Sequence, residues 1–308
     1  MLTITKAIIL GIIQGITEWL PISSSGHLVL FQNIFGLEEQ VGFDLVLHLA
    51  SLIVVLFIFR KDIFLMLKSL YSFYGEINEF KRSNELNKTK QLKNASATKI
   101  SIAKINSNYA KSLIMFFLEN EHRKLALFII IGTIPIAVFG LLLKDIVELA
   151  FTSLLIVGIS FMITGVMLWL TKFRLNSKKT IKNMSLSDIL YIGSFQALAI
   201  FPGISRSGST IAGGILTGVD KNHAARISFL LFIPAIIGAS LLELDKIYVL
   251  FNNPVASLAG FLSSLVISYV SIKFLLNIIK KGKFHYFAYY CFFIGLISLA
   301  LHFILPII

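Results

Sequence analysis

The sequence predicts an all-α integral membrane protein: an inverted repeat of six transmembrane helices plus two re-entrant helix–loop–helix hairpins. Composition is the first ground. Hydrophobic residues make up 56% of the 308 residues and charged residues only 14%, against about 25% charged in a soluble domain. Mean hydropathy is +0.84. A soluble globule of this size cannot hide so much apolar surface behind so few charges. The second ground is six apolar runs, each suited to crossing a hydrocarbon core of about 30 Å. The third is a pair of further apolar runs, both interrupted by Pro, Ser and Gly.

The first interrupted run, Ile4 to Leu20, stops at Pro21 and resumes beyond Ser23-Ser24-Ser25-Gly26 to end at Phe35. Span one, Leu45 to Phe59, is short and is expected to begin near Gly42, which takes Asp44 and His48, i and i+4, to the membrane boundary; a boundary role is the preferred reading and lining the cavity the alternative. From about Gly75 to Lys111 the chain is rich in Lys, Asn, Ser and Glu and reads as a solvated loop; Leu113 to Leu118 then suits the interface. Spans two and three are Leu125 to Leu143 and Leu154 to Leu170. The second interrupted run, Ile189 to Phe201, stops at Pro202-Gly203 and resumes after Ser205-Arg206-Ser207-Gly208 as Thr210 to Leu216. Spans four, five and six are Ala224 to Leu242, Val255 to Ile279 and Phe287 to Ile304. A proline followed by Ser and Gly cannot continue an α-helix. Irregular backbone survives at membrane depth only where protein or a wet cavity satisfies it. Residues 4–35 and 189–216 are therefore read as hairpins that return to their own side.

The two interruptions align at an offset of 182: Gly11 on Gly193, Gln14 on Gln196, Ile22-Ser23 on Ile204-Ser205 and Ser25-Gly26 on Ser207-Gly208. This divides the chain into a first repeat, 1–185, and a second, 186–308. A hairpin plus three spans makes an odd number of crossings, so the halves must be oppositely oriented. Arg60, Lys61 and Lys68 follow span one, Lys172, Arg174, Lys178, Lys179 and Lys182 follow span three, and Lys280, Lys281 and Lys283 follow span five. Cationic loops stay in the cytoplasm, so the first hairpin enters from outside, the second from inside, and their tips can meet. The formal net charge of +12 then reflects topology and anionic lipid headgroups rather than nucleic acid. The one cysteine, Cys291, excludes an intrachain disulfide and a CxxC motif. Lys6 is the only basic residue near the N-terminus, Glu18 interrupts the first apolar stretch and no small-residue cleavage site follows, so no cleavable signal peptide is expected.

The tips concentrate polar chemistry. Gln14 and Glu18 stand at i and i+4 on one helical face. Glu18, His27 and Arg206 are ionisable groups at membrane depth, which is costly unless they are paired or wet and marks a functional site by default. Ser and Gly turns entering helix N-termini offer free N–H groups to phosphate oxygens, and Arg206 adds a planar fork of donors. Ser24 is a candidate nucleophile; His27, three residues on, is a candidate base, acid or nucleophile. Gln14 and Glu18 offer oxygens to a hard divalent cation. Together these suit phosphoryl transfer or hydrolysis on a membrane-embedded substrate. Close helix packing would also use Ser and Gly, Glu18 with Arg206 would also make a structural ion pair, and inverted repeats with broken helices also build transporters. A transporter has no need of the Ser24–His27 pair.

At these residues the sequence resembles the undecaprenyl-diphosphate phosphatases, a family also called bacitracin-resistance proteins. The family's first motif is Glu or Gln, three residues, Glu, then Pro-x-Ser-Ser-x-Gly-His; Gln14, Glu18, Pro21, Ser23, Ser24, Gly26 and His27 match it. The second is Pro-Gly-x-Ser-Arg-Ser and a Thr, matched by Pro202, Gly203, Ser205, Arg206, Ser207 and Thr210. The resemblance covers most of the chain and implies the same fold. It implies hydrolysis of the polyprenyl lipid undecaprenyl diphosphate to undecaprenyl phosphate and inorganic phosphate, recycling the carrier for cell-wall synthesis and conferring bacitracin resistance. It further implies a multi-pass protein of the bacterial plasma membrane, a site facing the outer side, a divalent cation (Mg²⁺ or Ca²⁺), and a homodimer among family precedents. By the same resemblance Glu18, Ser24, His27 and Arg206 are catalytic. Ser23, Ser25, Gly26, Ser205, Ser207 and Thr210 bind phosphate, and Gln14 and Glu18 serve the metal. Gln14 is the Gln variant of its motif, so one carboxylate ligand is missing. Ser24, His27 and water all remain open as the attacking group, with Ser24 assisted by His27 preferred.

Overall fold

The computed structural model describes residues 2–37, 41–73, 75–76, 82, 117–174, 176–243, 246 and 253–304. Two compact units divide the chain, Met1–Ile58 with Ile129–Ile308, and Phe59–Phe128. The named helices are α1 (Ile4–Thr17), α2 (Ser24–Ile34), α3 (Val41–Ile58), α4 (Glu121–Leu142), α5 (Lys144–Phe151), α6 (Leu154–Leu170), α7 (Leu186–Leu198), α8 (Arg206–Leu216), α9 (Lys221–Leu242), α10 (Pro254–Lys280) and α11 (Phe287–Ile304). Among the described residues six helices are long and apolar enough to cross a membrane: α3, α4, α6, α9, α10 and the stretch containing α11. The protein is a multi-pass, all-α membrane protein. Each span lies within a few residues of its expected position; the first begins at Val41 rather than Leu45. Pro135 in α4 and Pro234 in α9 sit inside continuous helices, as neighbouring helices allow in a membrane.

The interruptions fold as two helix–turn–helix hairpins, α1 with α2 and α7 with α8. In the first, Ser23 leaves the helical region at φ 67° and caps α2, its hydroxyl accepting from Gly26 N–H at 3.3 Å. In the second, Gly203 turns the chain at φ 96°, and Ser205 caps α8 by accepting from Gly208 N–H at 3.0 Å. A side chain at 203 would also meet Ser160 Cβ at 2.7 Å, so glycine is required twice over. The tips touch. Gly203 N–H donates to Ser23 Oγ at 3.2 Å, and Ser207 Oγ donates to the Leu20 carbonyl at 3.4 Å. Thr164 of α6 serves the second turn, donating to the Gly203 carbonyl at 2.9 Å and accepting from Ser205 N–H at 3.1 Å. Backbone groups freed by the breaks thus find partners inside the protein, the condition for irregular chain within a membrane.

Each hairpin's leading helix packs against a long span, α1 on α10 and α7 on α4. On α1, a side chain at Gly11 would strike Ser263 Oγ and the Gly260 carbonyl of α10. On α7, a side chain at Gly193 would lie 2.6 Å from the Gly132 carbonyl of α4. Small residues let these backbones approach. α6 and α11 pair in the same way, Gly158 of α6 against Leu299 and Gly165 against Phe292 of α11. α7 starts in a capping box of Ser185 and Asp188. Lys179 Nζ donates to Asp188 Oδ1 at 2.9 Å. Burial opposes the charge of Asp188, yet the Ser185 amide and Lys179 hold its carboxyl below the ordinary range.

In the Phe59–Phe128 unit a helix covers 60–73. Arg123 Nη1 pairs with Glu76 Oε2 at 2.7 Å, and its guanidinium lies over Phe73 at 5.1 Å. The expected loop from Gly75 to Lys111 lies almost entirely outside the described residues, as do residues 113–116 of the expected interfacial stretch.

Candidate active site

Glu18 occupies the first position past α1 and is only 6% exposed. Its two oxygens are divided between partners. Oε1 accepts from Arg206 Nη2 at 2.8 Å. Oε2 accepts from Ser24 Oγ at 2.6 Å and Gln14 Nε2 at 2.9 Å, and His48 Nε2 stands 3.3 Å from it. Thus one carboxylate ties together α1, the tip of α2, the tip of α8 and α3. The pairing of Gln14 with Glu18 follows from i, i+4 spacing. The Ser24 and Arg206 contacts follow from the two Ser-capped turns, which bring the first residues of α2 and α8 against Glu18.

Arg206 is held by more than charge. Its Nη1 donates to the Ser228 carbonyl of α9 at 3.3 Å. Its guanidinium lies 4.2 Å over the Phe232 ring and 5.9 Å from Trp19. Trp19 stands edge-on to Phe229 and Phe232 at 5.5 and 5.2 Å. The aromatic wall sets the plane of the fork, a cation–π arrangement that Lys could not reproduce with the same geometry.

His27 faces away from Ser24. Its Nδ1 lies 2.7 Å from the Ser23 carbonyl. A carbonyl only accepts, so Nδ1 carries the proton. Nε2 is then free to accept from the Tyr290 hydroxyl, 2.7 Å away on α11. The ring stacks on Tyr290 at 5.7 Å and meets Phe161 edge-on at 5.1 Å. The group against the Ser24 hydroxyl is therefore Glu18, whereas sequence spacing had favoured His27.

The other expected phosphate contacts serve partly as braces. Ser23 and Ser205 cap helices, and Ser207 bridges to Leu20. Thr210 donates to the Arg206 carbonyl at 2.8 Å and shares a 2.6 Å hydrogen bond with Ser228. Gly26 lets the tips close: a Cβ there would lie 2.8 Å from Gly203 Cα. Ser25 lies 3.2 Å from Ser23 Oγ and is half-buried. Two groups are additional to the tip motifs, His48 and Tyr290. Expected at the boundary, Asp44 and His48 lie instead at the site: His48 reaches Glu18, and Asp44 accepts from Gln32 Nε2 at 2.8 Å. The i, i+4 pair was visible in sequence, but its approach to Glu18 is tertiary.

No group of three or more His, Cys, Asp or Glu suited to a metal ion occurs among the described residues. A smaller donor set is present. Gln14 Oε1 is buried without a hydrogen-bond partner beside Glu18. One amide oxygen and one carboxylate fit a Mg²⁺-type cation that takes its remaining oxygens from a phosphate ligand and water. Next to the site lies a cavity of about 620 Å³, lined by apolar residues including Ile13, Ile16, Leu20 and Phe274, with His27, Tyr290 and Lys283. It meets the constellation at His27; Glu18, Ser24 and Arg206 do not line it.

A family model described as "Bacitracin resistance protein BacA" matches residues 7–297. A protein of Methanosphaera stadtmanae named undecaprenyl-diphosphatase is 40% identical over 99% of this chain and 100% of its own length. Proteins of the same name from Methanobrevibacter smithii and Korarchaeum cryptofilum are 39% and 38% identical, covering 96% and 97% of this chain and 96% and 99% of theirs.

Proposed function

The chain belongs to the BacA family of bacitracin resistance proteins, and from this premise we propose that it hydrolyses undecaprenyl diphosphate to undecaprenyl phosphate and inorganic phosphate. The observation that carries the reading is the 2.6 Å hydrogen bond from Ser24 Oγ to Glu18 Oε2, with the Arg206 guanidinium on the opposite carboxylate oxygen. A hydroxyl against a carboxylate is a nucleophile beside its base, and an adjacent guanidinium fork is a phosphoryl clamp. Close helix packing alone suits a transporter as well, but gives no reason for that pair.

In the proposed reaction Arg206 turns its fork toward the terminal phosphate, assisted by first-turn N–H groups of α2 and α8. Ser24 Oγ attacks the terminal phosphorus as its proton passes to Glu18. The bond from phosphorus to the bridging oxygen breaks, and undecaprenyl phosphate leaves. Glu18 passes that proton on to the departing bridging oxygen and is a carboxylate again. Water then attacks the phosphoserine phosphorus, one of its protons passing by way of Glu18 to Ser24 Oγ as the phosphorus–Oγ bond breaks; inorganic phosphate departs and Ser24 is restored. A divalent cation, held by Gln14 Oε1 and Glu18, would supply charge neutralisation for the diphosphate. His27, fixed by Ser23 and Tyr290, lies between the nucleophile's helix and the apolar cavity. That cavity is suited to the prenyl chain next to the headgroup.

The reading extends to carrier recycling for cell-wall synthesis, bacitracin resistance, a plasma-membrane location with the site facing outward, and a homodimer. The test is phosphate release from undecaprenyl diphosphate by the purified protein in detergent, with rapid quench of labelled substrate. Label on Ser24, lost in Ser24→Ala together with nearly all turnover, is the expected result. Acid-labile, alkali-stable label would assign the attack to His27. Turnover without any phosphoenzyme would assign it to water.

A further inference from the structure

His48 lies on α3, outside both tip motifs, yet its ring is held at both ends within the site. Its Nδ1 donates to the Asp44 carbonyl at 2.8 Å, and Nε2 stands 3.3 Å from Glu18 Oε2. In the imidazolium form that second contact is an ion pair. The start of α3 is itself anchored, since Asp44 Oδ1 accepts from Gln32 Nε2 of α2 at 2.8 Å. The ring thus links the carboxylate to a braced stretch of backbone.

The roles of the other groups on Glu18 explain why this link matters. Arg206 must give donors to an arriving phosphate, which loosens its hold on Oε1. Ser24 leaves Oε2 when it attacks. Gln14 remains, but it is neutral and belongs to the same helix end as Glu18, so it cannot fix that end relative to α2. Of the contacts described, His48 alone reaches the carboxylate from a separate braced helix and has no role in binding phosphate or forming the new bond.

We infer that His48 is a positioning residue of the hydrolysis, holding the Glu18 carboxylate in register with Ser24 Oγ while Arg206 engages the phosphate. The inference rests on the phosphatase reading. Displacing a base by about 1 Å costs on the order of 10²-fold in rate, and a group that acts only on the base leaves ground-state binding almost unchanged.

The experiment is steady-state kinetics of the detergent-purified full-length protein with undecaprenyl diphosphate. His48→Ala is expected to lower kcat about 10²-fold with KM within about 3-fold of wild type. His48→Gln, whose amide can still donate to Glu18, is expected to recover to within about 10-fold of wild type. His48→Asn has the same polarity but is too short to reach, and is expected to resemble the alanine variant. It supplies the measurement if His48→Ala does not fold, as monitored by melting temperature. Wild-type kcat in the Asn or Ala variant, equal losses in Gln and Ala, or a change confined to KM would overturn the inference. Wild-type protein that releases no phosphate would instead remove the phosphatase reading itself.

Discussion

The Arg206 guanidinium meets partners of different chemical kinds, among them the Glu18 carboxylate, the Ser228 carbonyl and the Phe232 ring. Arg206→Ala deletes a preorganised donor, worth about 10²–10³-fold in turnover, and leaves Glu18 Oε1 without its donor while Oε2 keeps Ser24, Gln14 and His48, at a cost of about 1–3 kcal/mol of stability. Arg206→Lys separates these effects. It keeps the charge beside Glu18, so melting temperature in detergent should stay close to wild type. It loses the fork, so kcat should fall at least about 10-fold. A Lys variant with wild-type kcat would reduce Arg206 to a point charge. Sequence alone pointed to Glu18, Ser24 and Arg206 because short motifs place them beside chain breaks, where an ionisable residue in apolar surroundings stands out. It could not show that Ser24 bonds Glu18 rather than His27: spacing of three residues permits both, and the choice is made by Tyr290, 263 positions from His27. For His48 the sequence favours a boundary role over a place lining the cavity, because nothing local to α3 reveals Glu18 opposite it.

Among the elements, glycine positions carry the sharpest expectations. Gly193→Val would drive methyl groups into the Gly132 carbonyl, already 2.6 Å from an ideal Cβ. Backbone cannot yield as a side-chain end can, so a loss of about 1–3 kcal/mol is expected, measured by thermal denaturation in detergent. Gly140→Ala, with nothing within 4 Å of its Cβ, serves as the control and should be neutral or stabilising. Wild-type stability in Gly193→Val would mean α7 does not pack on α4 as described. The six spans were legible because length and apolarity suffice to define a membrane helix. Their partners were not, since lipid-facing and protein-facing residues are equally apolar. The short helix α5 is not evident from apolarity either: Lys144, Asp145 and Glu148 lie on it, with Lys144 Nζ 4.0 Å from Glu148 Oε1.

For the whole molecule the open measurement is orientation. The charge asymmetry between loops predicts that Glu148→Cys is labelled by an impermeant thiol reagent from outside intact cells and Lys178→Cys only after lysis. Both positions are exposed. The native Cys291 is buried against the Pro21 carbonyl at 3.6 Å, so signal reports the introduced thiol. Reversed labelling would place the site on the cytoplasmic face. The proposed division at residue 185 draws support from the exchange of hairpins: α1 lies on a span of the second half and α7 on a span of the first.

The turn at Ser23 has a consequence in time. A non-glycine residue at φ 67° costs about 1–3 kcal/mol and persists only where its surroundings enforce it. One of its fastenings, the Gly203 amide, lies 180 residues further along the chain. At roughly 5–20 residues per second of synthesis, the first hairpin waits on the order of ten seconds or more for that partner to emerge. Until then Ser24 stands at an unfastened tip and Glu18 has no guanidinium beside it. A prematurely terminated chain would carry half of the proposed chemistry and be unable to perform it, so hydrolysis of the proposed lipid substrate awaits the completed molecule.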